Sequence, residues 1–280
     1  MKLCNLVSAG VAIACALITT PLKADTPVSS CGTVISTLGD YVLTNDLVCS
    51  GGDAIAITTV FTTLRLAGHS ISGTCASCGF DGISVNPKGA IKGLHDVRIV
   101  GPGRLQGFHA AVHFFGVRSS FVTGLAFSND FTGIMVDADS AGNRSTENLF
   151  AANVATDVGI GFYDVGGQGN EYTGNAASET VSTITGGYGM AILSGGNKIA
   201  GNEVSHTYLG ILVQNANANQ IVGNRLTGNL VWGIIVDGTS SGNIIRLNSV
   251  VGNGTDLGGD CTRNRFLLNA FTTASAACIR

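Results

Sequence analysis

The sequence is short of charge. Asp, Glu, Lys and Arg make up 12% of its 280 residues, and fifteen basic residues face eighteen acids. There is no basic run and no net positive field, which removes the usual electrostatic ground for binding nucleic acid or an anionic membrane surface. Long hydrophobic runs are missing too. The longest apolar stretch, LVSAGVAIACALI at 6–18, falls short of the roughly eighteen residues a spanning helix needs, so no membrane span is expected. Helical periodicity is absent from the rest, and so are regularly placed two-residue hairpin turns. These absences exclude a helical bundle and argue against a sandwich of hairpins.

The apolar stretch has the form of a secretory signal, with Lys2 before it and Pro21 to Ala24 as the cleavage region. Cleavage near Ala24 would make the protein secreted or periplasmic, with thirteen basic residues left against eighteen acids. Of eight cysteines, Cys4 and Cys15 leave with the signal, and six remain in a compartment where disulfides persist. Chain order pairs Cys31 with Cys49, Cys261 with Cys278, and Cys75 with Cys78 in the CASC turn, although six cysteines allow about fifteen connectivities. A redox reading of CASC lacks the strand and helix that present such a dithiol. A zinc site from Cys31, Cys49, Cys75 and Cys78 is poorly spaced.

The positive signal is a repeat. From residue 148 onward, two asparagines five apart recur six times: Asn148/Asn153, Asn170/Asn175, Asn197/Asn202, Asn219/Asn224, Asn243/Asn248 and Asn264/Asn269. Successive copies begin 22, 27, 22, 24 and 21 residues apart, and each pair encloses one large apolar residue, Phe150, Tyr172, Ile199, Ile221, Ile245 or Phe266. Interleaved with them runs a Gly-apolar-any-apolar element: GISV (82–85), GIMV (133–136), GIGF (159–162), GMAI (189–192), GILV (210–213) and GIIV (233–236), with AVHF (111–114) in the same slot. Short strands of period two at a fixed spacing mean that each copy is one coil of a stack. The expected fold is all-β, a single-stranded right-handed parallel β-helix of about nine coils of 21–30 residues with disulfide-stapled ends. Its expected divisions are a signal peptide (1–24), an N-terminal cap and first coil (25–60), and the β-helix with a C-terminal cap (61–280). Asn153, Asn175, Asn202, Asn224, Asn248 and Asn269 are read as a structural ladder, placed at left-handed corners and joined amide to amide between coils.

The N-x-I-x-G-N and GI-x-V elements, with an opening CG…YVLTNDLVCSGG…LRLAGHSISG (31–73), resemble the secreted right-handed parallel β-helix proteins. That superfamily includes pectate lyases, polygalacturonases, alginate epimerases and the periplasmic NosD-type copper-maturation proteins. The resemblance covers the whole chain after residue 24 and implies the fold; it does not imply an activity. The paired aspartates of polygalacturonases, the RxPxxR of pectate lyases and the QAV and DFIFG of pectin methylesterases are missing. GFDG (79–82) is only faintly similar to the YGFDPH stretch of alginate epimerases, since the tyrosine and the Pro-His are absent. Copper handling of the NosD type would be served by clustered Met and His, yet only Met135 and Met190 follow the signal.

Charge is segregated along the chain. Residues 65–118 hold Arg65, Lys88, Lys92, Arg98, Arg104, Arg118 and four histidines, whereas 130–164 hold Asp130, Asp137, Asp139, Glu147, Asp157 and Asp164. One reading is a polyanion cradle beside an acidic patch for Ca²⁺; the other is turn and edge decoration. On the first reading an anionic polysaccharide is the partner, and the chemistry is that of a uronan lyase or C5-epimerase. His113 is then the candidate base, Arg104 and Arg118 its cationic partners, His109 and Lys92 the substrate contacts, and Asp137 and Asp139 the Ca²⁺ ligands. His109 and His113 share strand parity and are expected to point outward, ~13 Å apart. Met135, Leu212 and Ile235 form a mild outward apolar strip. The competing reading is a non-catalytic β-helix that binds, adheres or serves as a structural module of the cell envelope. Oligomeric state is not legible.

Overall fold

The computed structural model describes residues 24–74, 76–180 and 186–279. The expected signal peptide and Cys75, and with Cys75 its pairing to Cys78, lie outside these described residues. The chain winds as stacked coils whose strand pairs are all parallel, from Thr26–Val28 on Gly39–Leu43 to Ser249–Val251 on Ala270–Phe271. One flank is a ten-stranded sheet and the others merge into a nineteen-stranded one, because Val97–Gln106 and Phe121–Ser128 run unbroken through the corner between them. The ten-stranded sheet counts one coil more than about nine: its first two strands, Thr33–Ile35 and Ile55–Ile57, both fall in the segment expected as N-terminal cap and first coil.

Period-two alternation sends every second side chain inward, where equivalent residues stack in columns. One column runs Tyr41, Leu64, Ile99, Val122, Phe150, Tyr172, Ile199, Ile221, Ile245, Phe266. Ile199, Ile221 and Ile245 are completely buried, each contributing roughly 1.5–3 kcal/mol by leaving water. Phe150 and Tyr172 stack at 4.9 Å between centroids.

The asparagines form two buried ladders. From Asn175 to Asn269 in one ladder each Oδ1 accepts both the backbone N–H and the Nδ2–H of the asparagine one coil earlier, as Asn202 does from Asn175 at 2.9 and 3.1 Å; in the other ladder Asn197, Asn219 and Asn243 accept the backbone N–H. The Nδ2 also donates to a carbonyl of the preceding coil, Asn202 to Tyr172 at 2.9 Å. The corner geometry differs from expectation. The left-handed residue is the one before the asparagine, Gly201 before Asn202 and Leu247 before Asn248, with φ of 62° and 56°. A side chain at the left-handed position points out to solvent, so only the next residue can reach inward to its counterpart.

Both ends are stapled by disulfides. Cys31–Cys49 and Cys261–Cys278 are bonded across 18 and 17 residues of chain. After the last strand the chain folds under the stack, Ser275 N–H donating to the Leu257 carbonyl at 2.9 Å, and Ile279 is buried against the final coil. This covers the outer edge of Thr255–Gly258, the last strand of the ten-stranded sheet.

Candidate functional site

The strand Ala110–Phe115 lies in the ten-stranded sheet. Val112 and Phe114 fill the interior, so His113 stands on the outer side, between Ser84 and Met135 of the adjoining coils. Asp81 comes close to it because Gly82 follows: a Cβ at that position would lie 2.6 Å from the Ala111 carbonyl oxygen, so only glycine lets the two chain segments approach.

His113 Nδ1 is 2.9 Å from Asp81 Oδ2, and His109 Nδ1 is 3.5 Å from Asp81 Oδ1. A carboxylate can only accept, so Nδ1 of His113 carries the proton. The Ala110 amide donates to Oδ1 at 3.2 Å, while Asp53 accepts from the Asp81 amide at 3.0 Å and from the Ser84 hydroxyl at 2.6 Å. Burial works to raise the Asp81 carboxyl, but hydrogen bonds and charge from His109 and His113 hold it below its ordinary value. The bond to Asp81 raises the His109 imidazole in turn. His109 stacks on Phe131 with centroids 5.5 Å apart, and His113 packs on Phe115 at 3.7 Å. The side chain of His109 is 33% exposed against 7% for His113, so His109 is the imidazole that solvent reaches. Nε2 of His113 is buried without a hydrogen-bond partner.

Several sequence expectations change here. His113 is on the outer side but covered, and the two imidazoles are not ~13 Å apart; their donor atoms and that of Asp81 all lie within 4.8 Å of one another. His109 precedes the strand, at the corner, where extended spacing does not apply and both rings turn toward Asp81. Arg104 stands exposed on the nineteen-stranded sheet, paired with Ser70 and Ala126, and faces a different way from His113. Arg118 lies in the connection beyond the strand, bridged to His95 and Thr146. Asp137 pairs with Phe115, and its Oδ1 accepts the Ala138 amide at 2.7 Å. The strand Thr132–Asp137 ends there, before alternation can bring Asp139 to the same side. Asp139 instead organises a turn, accepting from the amides of Ala141 and Asn143 and the Asn143 side chain. The Asn143 side chain, more than the charge of exposed Lys92, holds the Asp139 carboxyl below its ordinary value.

The axial charge bands also dissolve in three dimensions. Asp130, Asp139 and Asp164 are buried, and Asp164 interrupts an interior column between Val136 and Ile192, where Ser194, Asn170 and Tyr172 donate to it. Asp81 was missed as a site residue. Its signal was the GFDG stretch, which contains the aspartate and the glycine that admits it.

Past His113 the outer face of the ten-stranded sheet turns apolar. The register runs His113, Met135, Tyr163, Ala191, Leu212, Ile235, with Tyr188, Leu209 and Trp232 in a parallel row. A Cβ at Gly258 would touch Ile235 and the Trp232 ring, so the two rows converge. At the strands' C-terminal ends lies a polar groove of about 550 Å³ lined by Arg144, Gln168, Ser194, Asn215 and Asn217.

The family model for the periplasmic copper-binding protein NosD matches residues 122–275, more than half the chain. The chain belongs to the NosD family. Among curated proteins none matches. Solved structures share the right-handed architecture at low identity. The periplasmic alginate epimerase AlgG is 14% identical with a TM-score of 0.53, over 85% of this chain and 76% of the epimerase. DFA-IIIase from Arthrobacter chlorophenolicus A6 is 14% identical with a TM-score of 0.59, over 83% and 67%. A mutant tailspike protein of E. coli bacteriophage HK620 in complex with a pentasaccharide is 14% identical with a TM-score of 0.60, over 87% of this chain and 51% of the tailspike. The family description names copper, yet within the matched segment Met190 is core and no His, Cys, Asp and Glu group converges among the described residues. Asp81, His109 and His113, just before that segment, form the one such group among them, and two imidazoles with a carboxylate are a donor set that suits copper.

Proposed function

We propose that this NosD-family protein is exported and engages a polysaccharide along the outer face of its ten-stranded sheet. The carrying observation is the strip of Tyr163, Tyr188, Leu209, Leu212, Trp232 and Ile235, all half-exposed and in register, beside the groove that holds Arg144. Aromatic and aliphatic faces stack on sugar rings, while the groove's amides and hydroxyl supply hydrogen bonds. Arg144 offers a bidentate partner to a uronate carboxylate. From His113 to Ile235 the strip crosses five coil steps, about 24 Å, enough for several sugar units. The epimerase and tailspike support this reading by acting on or holding sugars on the same fold. Native gel retardation in polyuronates, with Trp232→Ala and Arg144→Gln beside the parent, tests it. Retardation lost in both variants is expected; no retardation by any polymer, or retardation unchanged in both, overturns it.

A second reading, a uronan lyase or C5-epimerase, is favoured by one feature: Asp81 holds the accessible imidazole of His109 at the end of the strip. In that reading His109 rather than His113 exchanges the C5 proton, since His113 is covered. New unsaturated ends or a changed epimer ratio, abolished by His109→Gln, are the expected products. The absence of either from every polyuronate leaves the non-catalytic binding module.

A further inference from the structure

We propose that Asp81, His109 and His113 bind one divalent transition ion of the zinc and copper class. The family model covers 122–275 and does not reach these residues. The inference rests on their own geometry.

Three observations carry it. First, one donor atom from each residue lies within 4.8 Å of the other two, and two neutral imidazoles with one carboxylate form a set that borderline divalent ions prefer. Calcium and magnesium want oxygen ligands, so they are poor occupants. Second, the donors are held in place before any ion arrives. The Ala110 amide fixes Asp81 Oδ1, Asp53 fixes the Asp81 backbone and Ser84, and Phe115 and Phe131 pack the two rings. Such outer contacts orient ligands and commonly set affinity by about 10–100-fold. Third, both imidazoles turn Nδ1 toward the same carboxylate, His113 at 2.9 Å from Oδ2 and His109 at 3.5 Å from Oδ1, so the three donors converge on one shared point.

The site is open on one side only. His113 and Asp81 are each 7% exposed, whereas His109 is 33% exposed and faces the end of the apolar strip. An ion bound here keeps a coordination position toward solvent, where water or an oxygen of a bound molecule completes the shell. In the parent protein the imidazole protons meet Asp81; on binding, the ion replaces a proton, so affinity falls at acid pH.

The purified protein, stripped with EDTA, is titrated with ZnCl₂ by calorimetry in the absence of any sugar. One equivalent is expected, with a rise in melting temperature that EDTA reverses. His109→Gln and His113→Gln should each weaken binding by about tenfold or more. His206→Gln, an exposed histidine on another coil, should leave it unchanged. Because His113 and Asp81 are buried and their variants are at risk of misfolding, His109→Gln, at the solvent edge, is the deciding variant. Circular dichroism confirms that it folds. Cu²⁺ EPR of the one-equivalent complex should show two imidazole nitrogens and lose one in His109→Gln. No stoichiometric uptake, or uptake and spectrum both unaffected by His109→Gln, overturns the proposal. Trp232→Ala should bind the ion normally, so failure of the polysaccharide reading and failure of the metal site are separable.

Discussion

From Asn148 to Asn269 each coil hands its buried polar groups to the next through asparagine amides; between Asp81 and Thr132 the corresponding corners carry Asp, Ser, Thr and His, and atoms are left over. Five buried side-chain polar atoms among the described residues lack partners, and three of them, His113 Nε2, Asp130 Oδ2 and Thr132 Oγ1, fall in that short N-terminal stretch. In the two ladders only Asn219 Nδ2 is left without a partner among the described residues, since Asn170 Nδ2 turns to Ser145 and Asp164 and Asn197 Nδ2 to Ser194. Coil length does not separate the two regions: along the ten-stranded sheet the pairing step is 29 residues from Ser84 to His113, 22 from His113 to Met135, and 28 from Met135 to Tyr163 and from Tyr163 to Ala191. A regular stack uses nearly all of its buried polar groups on itself, and what it offers a ligand is the lining of its surface groove. The N-terminal coils, whose corners carry unequal residues, are where unmatched donors and acceptors accumulate, and the candidate metal site is among them.

The comparison can be broken most severely in the regular half. Ile221→Asp buries a charge in a completely enclosed column, and a loss of at least about 4 kcal/mol with collapse of the C-terminal coils is expected in thermal melts followed by circular dichroism. A soluble variant with unaltered melting would refute the column. Asn202→Ala comes next. It strands the Asn175 amide and side chain and the Tyr172 carbonyl, and urea titration should register about 3 kcal/mol. Ser120→Ala, its counterpart in the irregular half, loses the acceptor of the Val97 amide and should lose about half as much.

Asp130 sharpens the contrast through pH. It holds a ladder-like corner, accepting the Phe108 amide at 2.8 Å, but its second oxygen is unpaired and burial raises its carboxyl to about 8. The folded state therefore keeps the proton that the unfolded chain releases near pH 4. Its contribution is fully present below that pH and is lost as pH rises through 8. Asp130→Asn, which makes the corner resemble the C-terminal ladders, should remove this decline, and the variant's gain over the parent should be largest above pH 8, on the order of a few kcal/mol. Equal melting curves across pH 4–9 would show that Asp130 is not protonated in the fold. The smallest expected effect on stability is that of Trp232→Ala, about 1 kcal/mol or less, since the ring is half-exposed on the strip; its effect belongs to polymer retention.

The same division decides what was legible beforehand. Where the asparagine pair and the GI-x-V element recur, aligning copies assigns Ile199, Ile221 and Ile245 to one column and Val112 and Phe114 to the interior, and the structure agrees. Chain order alone paired Cys31 with Cys49 and Cys261 with Cys278. In the N-terminal coils no repeated residue marks the corners, so register is lost. Arg104 was placed near His113 although the two stand on different sheets, and Asp139 was taken past the end of its strand.

Periodicity determined the fold by itself, because a stacked coil needs only a repeated inward pattern and a corner residue that closes the turn, both local properties. Burial was decided by the assembled stack. Asp130, Asp139 and Asp164 look alike as acids in a list, but corner geometry and coil register turn them inward, while Glu147 and Asp157 point to solvent. Asp81 meets His109 and His113 only because one coil lies on the next across 28 to 32 residues of chain, with Gly82 permitting the approach. A contact of that kind depends on the length of an irregular coil, which no local pattern encodes.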